Sequence, residues 1–206
     1  MGKLIKDIET YLAVADQADI LEIGMNRGEG STDFFIDYAQ RRGVRFVGVD
    51  MMINREMQAV TDNPPEHCDF YITTGEDYLQ IAKMTDRKFS IVYLDNYDWN
   101  YWGTAENGLI RNQRKIYEKH HPESEPFDNV HSQMAHLNQA IGLTDMLTPN
   151  SVVICDDTWF DQTNQIYLGK CGAAIPYLVS IGFEVTYTYG QGTNGSTILT
   201  RQHVAI

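Results

Sequence analysis

Asp95, Asp156 and Asp157 are the residues whose placement most suggests chemistry. Asp95 closes an apolar run at 89–94, and the Asp156-Asp157 pair closes another at 151–155. Carboxylates brought together repel unless a proton or a cation intervenes. Hard oxygen ligands of this kind select Mg2+, Ca2+ or Mn2+. A divalent ion so held binds substrate oxygens and lowers the pKa of a coordinated hydroxyl. His131 and His136 lie in a later helical pattern, and either could supply a base.

A second constellation lies nearer the start. Gly24, Gly28 and Gly30 follow a short apolar run at 20–24 and lead into Ser31 and Thr32. Glycines there let the backbone turn tightly and approach a ligand closely. Free N–H groups at the start of the next helix favour polar or anionic ligand atoms. The spacing differs from the GxGxxG of dinucleotide enzymes, and the lysine of a phosphate-binding P-loop is missing. Both differences count against NAD and ATP.

These residues need elements to position them. The run 20–24 reads as a strand, and Phe34, Phe35, Tyr38 and Ala39 repeat at helical spacing after it. Arg41 and Arg42 place cations at the end of that helix, and Gly43 stops it. Further strands are expected at 44–49, ending at Asp50, and at 70–73, followed by Gly75, Glu76 and Asp77. Others are expected at 89–94 and 151–155, then a hairpin of 183–189 and 196–200 around a glycine-rich turn. Helices fall between them, including an opening one with Leu4, Ile8, Leu12 and Val14 near one face. Alternation of strand and helix predicts a parallel sheet covered on both faces, the hairpin adding one antiparallel strand. One domain spans 1–206, with an insertion at about 96–129 that carries Tyr97, Trp99, Tyr101 and Trp102. Insertions of that length are usually functional or disordered. The aromatics either form a lid over a ring-shaped substrate or pin the insertion to the core.

The pattern Glu22, Gly24, Gly28, Ser31 resembles the first motif of class I S-adenosylmethionine-dependent methyltransferases. That resemblance implies an α/β Rossmann-like fold with a mostly parallel seven-stranded sheet. It also implies that Glu22, Gly24, Gly28 and Ser31 form the cofactor loop. By the same resemblance Asp50 meets the ribose hydroxyls, Glu76 meets the adenine amino group, and Asp95 stands where the methyl group is transferred. The cluster Asp95, Asp156 and Asp157 is similar to the metal site of O-methyltransferases of catechol and macrolide-sugar type, and of the cephalosporin-hydroxylase-like branch. It implies a divalent cation, with Mg2+ expected. In those relatives a Lys or His three residues beyond the strand-four Asp can act as base. Here Asp98 stands there, as a weak base or a fourth ligand, and His131 is the other catalytic candidate.

Composition narrows the partners. A net charge of −12 repels nucleic-acid phosphates and anionic membranes. A small-molecule substrate is therefore expected, with no nucleic acid and no membrane, and the oligomeric state is left open, a homodimer included. Cys68, Cys155 and Cys171 are odd in number and widely spaced, which does not suggest a disulfide framework or a zinc site. The first residues have no apolar core of the signal-peptide kind, so a cytoplasmic location is expected. The leading function is metal-assisted O-methylation of a sugar or an aryl diol. A non-catalytic S-adenosylmethionine-binding protein and a metal-dependent hydroxylase on the same scaffold are the alternatives.

Overall fold

The computed structural model describes residues 4–25, 30–52, 55–97, 111, 115, 128–190 and 195–201. Helix α1 (Leu4–Leu12) leads into strand β1 (Asp19–Ile23), helix α2 (Ser31–Arg42) and strand β2 (Phe46–Asp50). Then come α3 (Arg55–Asp62), β3 (Cys68–Ile72), α4 (Gly75–Lys83) and β4 (Phe89–Leu94). The second half holds α5 (Asn129–Leu143), β5 (Leu147–Asp156), β6 (Thr158–Asp161) and β7 (Ile166–Gly169). Helix α6 (Ala174–Ser180) and strands β8 (Glu184–Tyr189) and β9 (Ser196–Arg201) complete it.

Seven strands form one sheet in the order β3-β2-β1-β4-β5-β9-β8. Strands β1 to β5 are parallel; β9 runs antiparallel to both β5 and β8. One strand of the seven is therefore reversed, as the terminal hairpin predicts. The central strands β1 and β4 are buried along nearly their whole length because helices cover both of their faces.

Alternate side chains sort to the two faces. Leu21, Ile23, Val92, Leu94 and Val153 pack with Leu79, Leu143 and Leu178 from α4, α5 and α6. Ile20, Ile91, Tyr93, Val152 and Ile154 pack with Ile8, Leu12, Phe35 and Ala39 from α1 and α2. Val14, expected on the α1 face, lies beyond the helix and is exposed. Helix α2 stops as predicted: Gly43 is left-handed, and its N–H reaches the carbonyls of Ala39 and Gln40.

The β6–β7 hairpin has no counterpart in the sequence reading, which runs from Asp157 straight toward the helix near 172–181. Its strands have only four residues each and are mostly half-buried or exposed, so no period-2 apolar pattern marks them. Asp161 turns the hairpin by accepting from the N–H groups of Thr163 and Asn164. The insertion at about 96–129 falls mostly outside the described residues. Among the described residues, no helix is long and apolar enough to cross a membrane.

Phe35 ties α2 to the sheet, 1% exposed with its ring centroid 5.5 Å from that of Tyr93. Phe35→Ala is expected to lower the unfolding free energy by about 3–5 kcal/mol in urea titration. A loss below ~1 kcal/mol would show that α2 does not pack there as described.

Candidate active site

The end of β1 meets the end of β4 backbone to backbone. Asp95 N–H donates to the Ile23 carbonyl at 2.8 Å, and Gly24 N–H donates to the Val49 carbonyl at 2.8 Å. Gly24 has φ +100°, and a Cβ there would stand 2.4 Å from Asn96 N and 2.5 Å from the Asp95 carbonyl carbon. Only glycine fits a crossing this close. Parallel pairing then sets Gly24, Asp50, Asp95 and Asp156 along one rim, just beyond Ile23, Val49, Leu94 and Cys155. Helix α2 packs on one face and α5 on the other, so β1 and β4 form the topological switch point, the place where open α/β sheets bind ligands.

Glu22 lies under that rim rather than in it. It is fully buried on the α2 face, and Ser31 Oγ donates to its Oε1 at 2.6 Å. The pair ties β1 to the first residue of α2 across the glycine loop. Residues 26–29, and with them Gly28, lie outside the described residues. Burial pushes the Glu22 carboxyl up to about 8; the Ser31 hydrogen bond opposes this, and the charges of Asp50 and Asp156 add to it.

Asp50 is half-buried, and its Oδ1 accepts from Met52 N–H at 2.9 Å. Glu76 stands in the first turn of α4, where Gln139 Nε2 donates to its Oε2 at 3.3 Å. Gln139 escaped the sequence reading because a buried polar residue inside a helix carries no spacing signal. It is fully buried and abuts Gly75, where an added Cβ would lie 2.8 Å from its Nε2.

The three aspartates do converge. One carboxylate oxygen from each of Asp95, Asp156 and Asp157 lies within 4.8 Å of the others. A cation that the sequence reading missed stands among them. Lys170 Nζ is 2.5 Å from Asp95 Oδ1, 3.2 Å from the Asp95 carbonyl oxygen and 3.2 Å from Asp157 Oδ2. Its side chain is only 2% exposed. Asp156 Oδ1 accepts from Ser196 Oγ at 3.2 Å, on the neighbouring strand β9.

The β6–β7 hairpin delivers this lysine. Thr158 and Gly169 pair at its base, and Lys170 N–H donates to the Asp157 carbonyl at 3.2 Å. Gly169 has φ +92°, and a Cβ there would fall 1.9 Å from the Asp157 carbonyl oxygen. Asp157 itself adopts φ +46°, unusual for a residue with a side chain. Burial raises the Asp95 carboxyl well above the ordinary carboxylate range, opposed by Lys170 and reinforced by Asp156 and Asp157.

The expected bases are placed differently. His131 sits in the first turn of α5 with Nδ1 2.9 Å from Oδ1 of the capping residue Asp128. His136 is fully buried with Nδ1 2.7 Å from the Ser132 carbonyl, so Nδ1 carries the proton. Burial, helped by the Lys170 charge, lowers the His136 pKa to about 3. It is therefore neutral packing at physiological pH and out of reach of solvent. Asp98, Trp99, Tyr101 and Trp102 lie outside the described residues. Tyr97 is buried against Met51 and Ala135, with its hydroxyl 3.5 Å from Met51 Sδ, so this aromatic pins the chain to the core.

Glu22 provides a pH test. Its folded-state pKa of about 8 exceeds the ordinary value of 4.5, so the folded state holds the extra proton between these limits. Wild-type stability from this group is then lost as pH rises through that window. Glu22→Gln is expected to match wild type near pH 5 and to exceed it by on the order of a few kcal/mol above pH 8. Equal denaturant midpoints at both pH values would refute the burial argument.

No family model and no curated protein matches the sequence. Solved structures do match in fold. The 1,6-didemethyltoxoflavin-N1-methyltransferase of Burkholderia thailandensis, solved with 1,6-didemethyltoxoflavin and S-adenosylhomocysteine, superposes with a TM-score of 0.52 at 11% identity, over 97% of this chain and 76% of that one. The N-methyltransferase NodS of Bradyrhizobium japonicum WM9 gives 0.52 at 13% identity, over 96% and 93%. Fibrillarin of Aeropyrum pernix, solved with natively bound S-adenosyl-L-methionine, gives 0.55 at 10% identity, over 91% and 67%. Strand order, the single reversed strand and these similarities agree: the chain has the Rossmann-like fold of class I S-adenosylmethionine-dependent methyltransferases.

Proposed function

We propose that this protein is an S-adenosylmethionine-dependent methyltransferase that O-methylates a small hydroxylated molecule, a sugar or an aryl diol. The observation that carries the reading is the convergence of Asp95, Asp156 and Asp157 at the rim beside Gly24. Neighbours with the same fold hold S-adenosylmethionine or S-adenosylhomocysteine. When bound, S-adenosylmethionine supplies a methyl group already activated on a sulfonium.

The chain's own residues have the remaining tasks. The Glu22–Ser31 pair holds the glycine loop against β1, and Gly24 keeps the loop's backbone low over β4. Asp50 offers oxygens suited to a vicinal diol such as ribose, and Glu76 an acceptor suited to an amino group. Asp156 and Asp157 accept hydrogen bonds from the acceptor's hydroxyls and aim one oxygen along the line of transfer. One of these carboxylates would take the hydroxyl proton, leaving the oxygen free to accept the methyl group as its bond to the sulfonium sulfur breaks and S-adenosylhomocysteine leaves.

The divalent cation implied by the catechol-type resemblance fits less well. The three carboxylates have a spacing that such an ion can use. Lys170, however, already binds two of them from within. Two unit charges 4 Å apart repel by about 4 kcal/mol at an effective dielectric constant of 20, and a dication doubles that.

A second reading is favoured by the charge balance. Among the described residues the cluster sets three aspartates against one lysine, an acidic balance that suits an amine acceptor. Two of the fold neighbours are N-methyltransferases. A non-catalytic binder and a hydroxylase remain the contrasting classes.

Calorimetry with S-adenosylmethionine tests the common element. Saturable binding is expected, weakened about tenfold or more by Asp50→Ala, equivalent to at least ~1.4 kcal/mol. Absence of saturable binding would overturn the proposal. Labelled-methyl transfer to a panel of catechols, sugars and amines then separates the readings: product from the diols supports O-methylation, product from amines alone refutes it, and no product favours the binder.

A further inference from the structure

We infer that Lys170 is the resident cation of the carboxylate cluster, a positioning residue that stands where a divalent metal would otherwise be needed. The inference deepens the methyltransferase reading and rests on it for the identity of the site.

Burying an ammonium is costly unless it is paired and hydrogen-bonded. The side chain of Lys170 is nearly inaccessible, and three oxygens from Asp95 and Asp157 meet its Nζ. The chain is built to hold it there. Gly169 leaves no room for a Cβ against Asp157, and the hydrogen bond from Lys170 N–H to the Asp157 carbonyl locks the two backbones together. Asp157 takes a left-handed conformation that side-chain-bearing residues rarely adopt. A hairpin of two four-residue strands thus ends by threading one cation under the rim.

The remaining neighbours agree with that role. Thr158, at the base of the hairpin, accepts from the N–H of Cys171, the residue after the lysine, and so fixes the chain on that side as well. Ser196 holds Asp156 from β9. Lys170 therefore gathers Asp95 and Asp157, and Ser196 steadies Asp156 beside them. An ammonium gives charge compensation without open coordination positions. The site it makes binds hydroxyl or amine hydrogens through carboxylates, not substrate oxygens through a metal.

Mn2+ is a direct probe, read by electron paramagnetic resonance and by the melting temperature. Wild-type protein is expected to show no saturable Mn2+ binding at millimolar concentration. Its affinity for S-adenosylmethionine is expected to stay within twofold when EDTA replaces Mg2+. Lys170→Met, which keeps the length and removes the charge, is expected to bind Mn2+ at least tenfold more tightly than wild type and to regain melting temperature when Mn2+ is added. A merely structural lysine would lose stability without gaining a metal. Wild-type binding of one Mn2+ per chain that disappears in Asp156→Ala would overturn the inference, as would a folded Lys170→Met with no gain in Mn2+ affinity. Should Lys170→Met fail to fold, the wild-type measurements decide alone: Mn2+ bound in the cluster overturns the inference, and its absence together with EDTA-resistant cofactor binding supports it. Failure of wild type to bind S-adenosylmethionine would instead sink the methyltransferase reading, whatever the Mn2+ result.

Discussion

Parallel pairing of β1 with β4 is the constraint on which the rest depends. Their register aligns Ile23 with Leu94, so both chains leave the sheet at the same level. The next residues are then in backbone contact, and Gly24 must lack a side chain. The helices that follow must cover opposite faces, because each face of the two central strands carries buried apolar side chains. The strand order reverses between these two strands, which makes their ends the topological switch point. Pairing and packing therefore align the rim before any polar residue is considered.

Electrostatics then shape what the rim can hold. Buried acids are tolerated only with compensation, and this rim has two kinds. Glu22 is accommodated by a hydrogen bond from Ser31 and by a raised affinity for its proton. The aspartate cluster is accommodated by a lysine brought in from outside the main sheet. Both devices lie beneath the surface that a ligand would touch, and both couple the local backbone to the charge: one spans the glycine loop, the other joins the hairpin to the end of β5.

Much of this was legible in the sequence. The run 89–94 shows its strand without ambiguity, and the five successive strand ends announce Gly24, Asp50, Gly75, Asp95 and Asp156 in order. Strand edges were less sharp: β5 begins at Leu147 rather than near 151, because its first residues are half-buried and follow a short 3-10 turn. The β6–β7 hairpin was invisible for want of periodicity. Lys170 was invisible too, since a lone lysine before Cys171 reads as a surface residue in any pattern of sequence. His131 and His136 looked alike as helical histidines, yet one rests on the residue that caps α5 and the other is sealed in the interior.

The sequence alone thus determined the alternation of strand and helix, the reversed strand and the acidic residues at the rim, because local propensity and hydrophobic period act over a few neighbours. Only the tertiary structure decided that Glu22 lies under the loop, that Gln139 reaches Glu76, and that Lys170 enters the aspartate cluster. Those contacts join residues 9, 63 and 75 positions apart. Charge compensation depends on distance in space, and pattern along the chain does not record it.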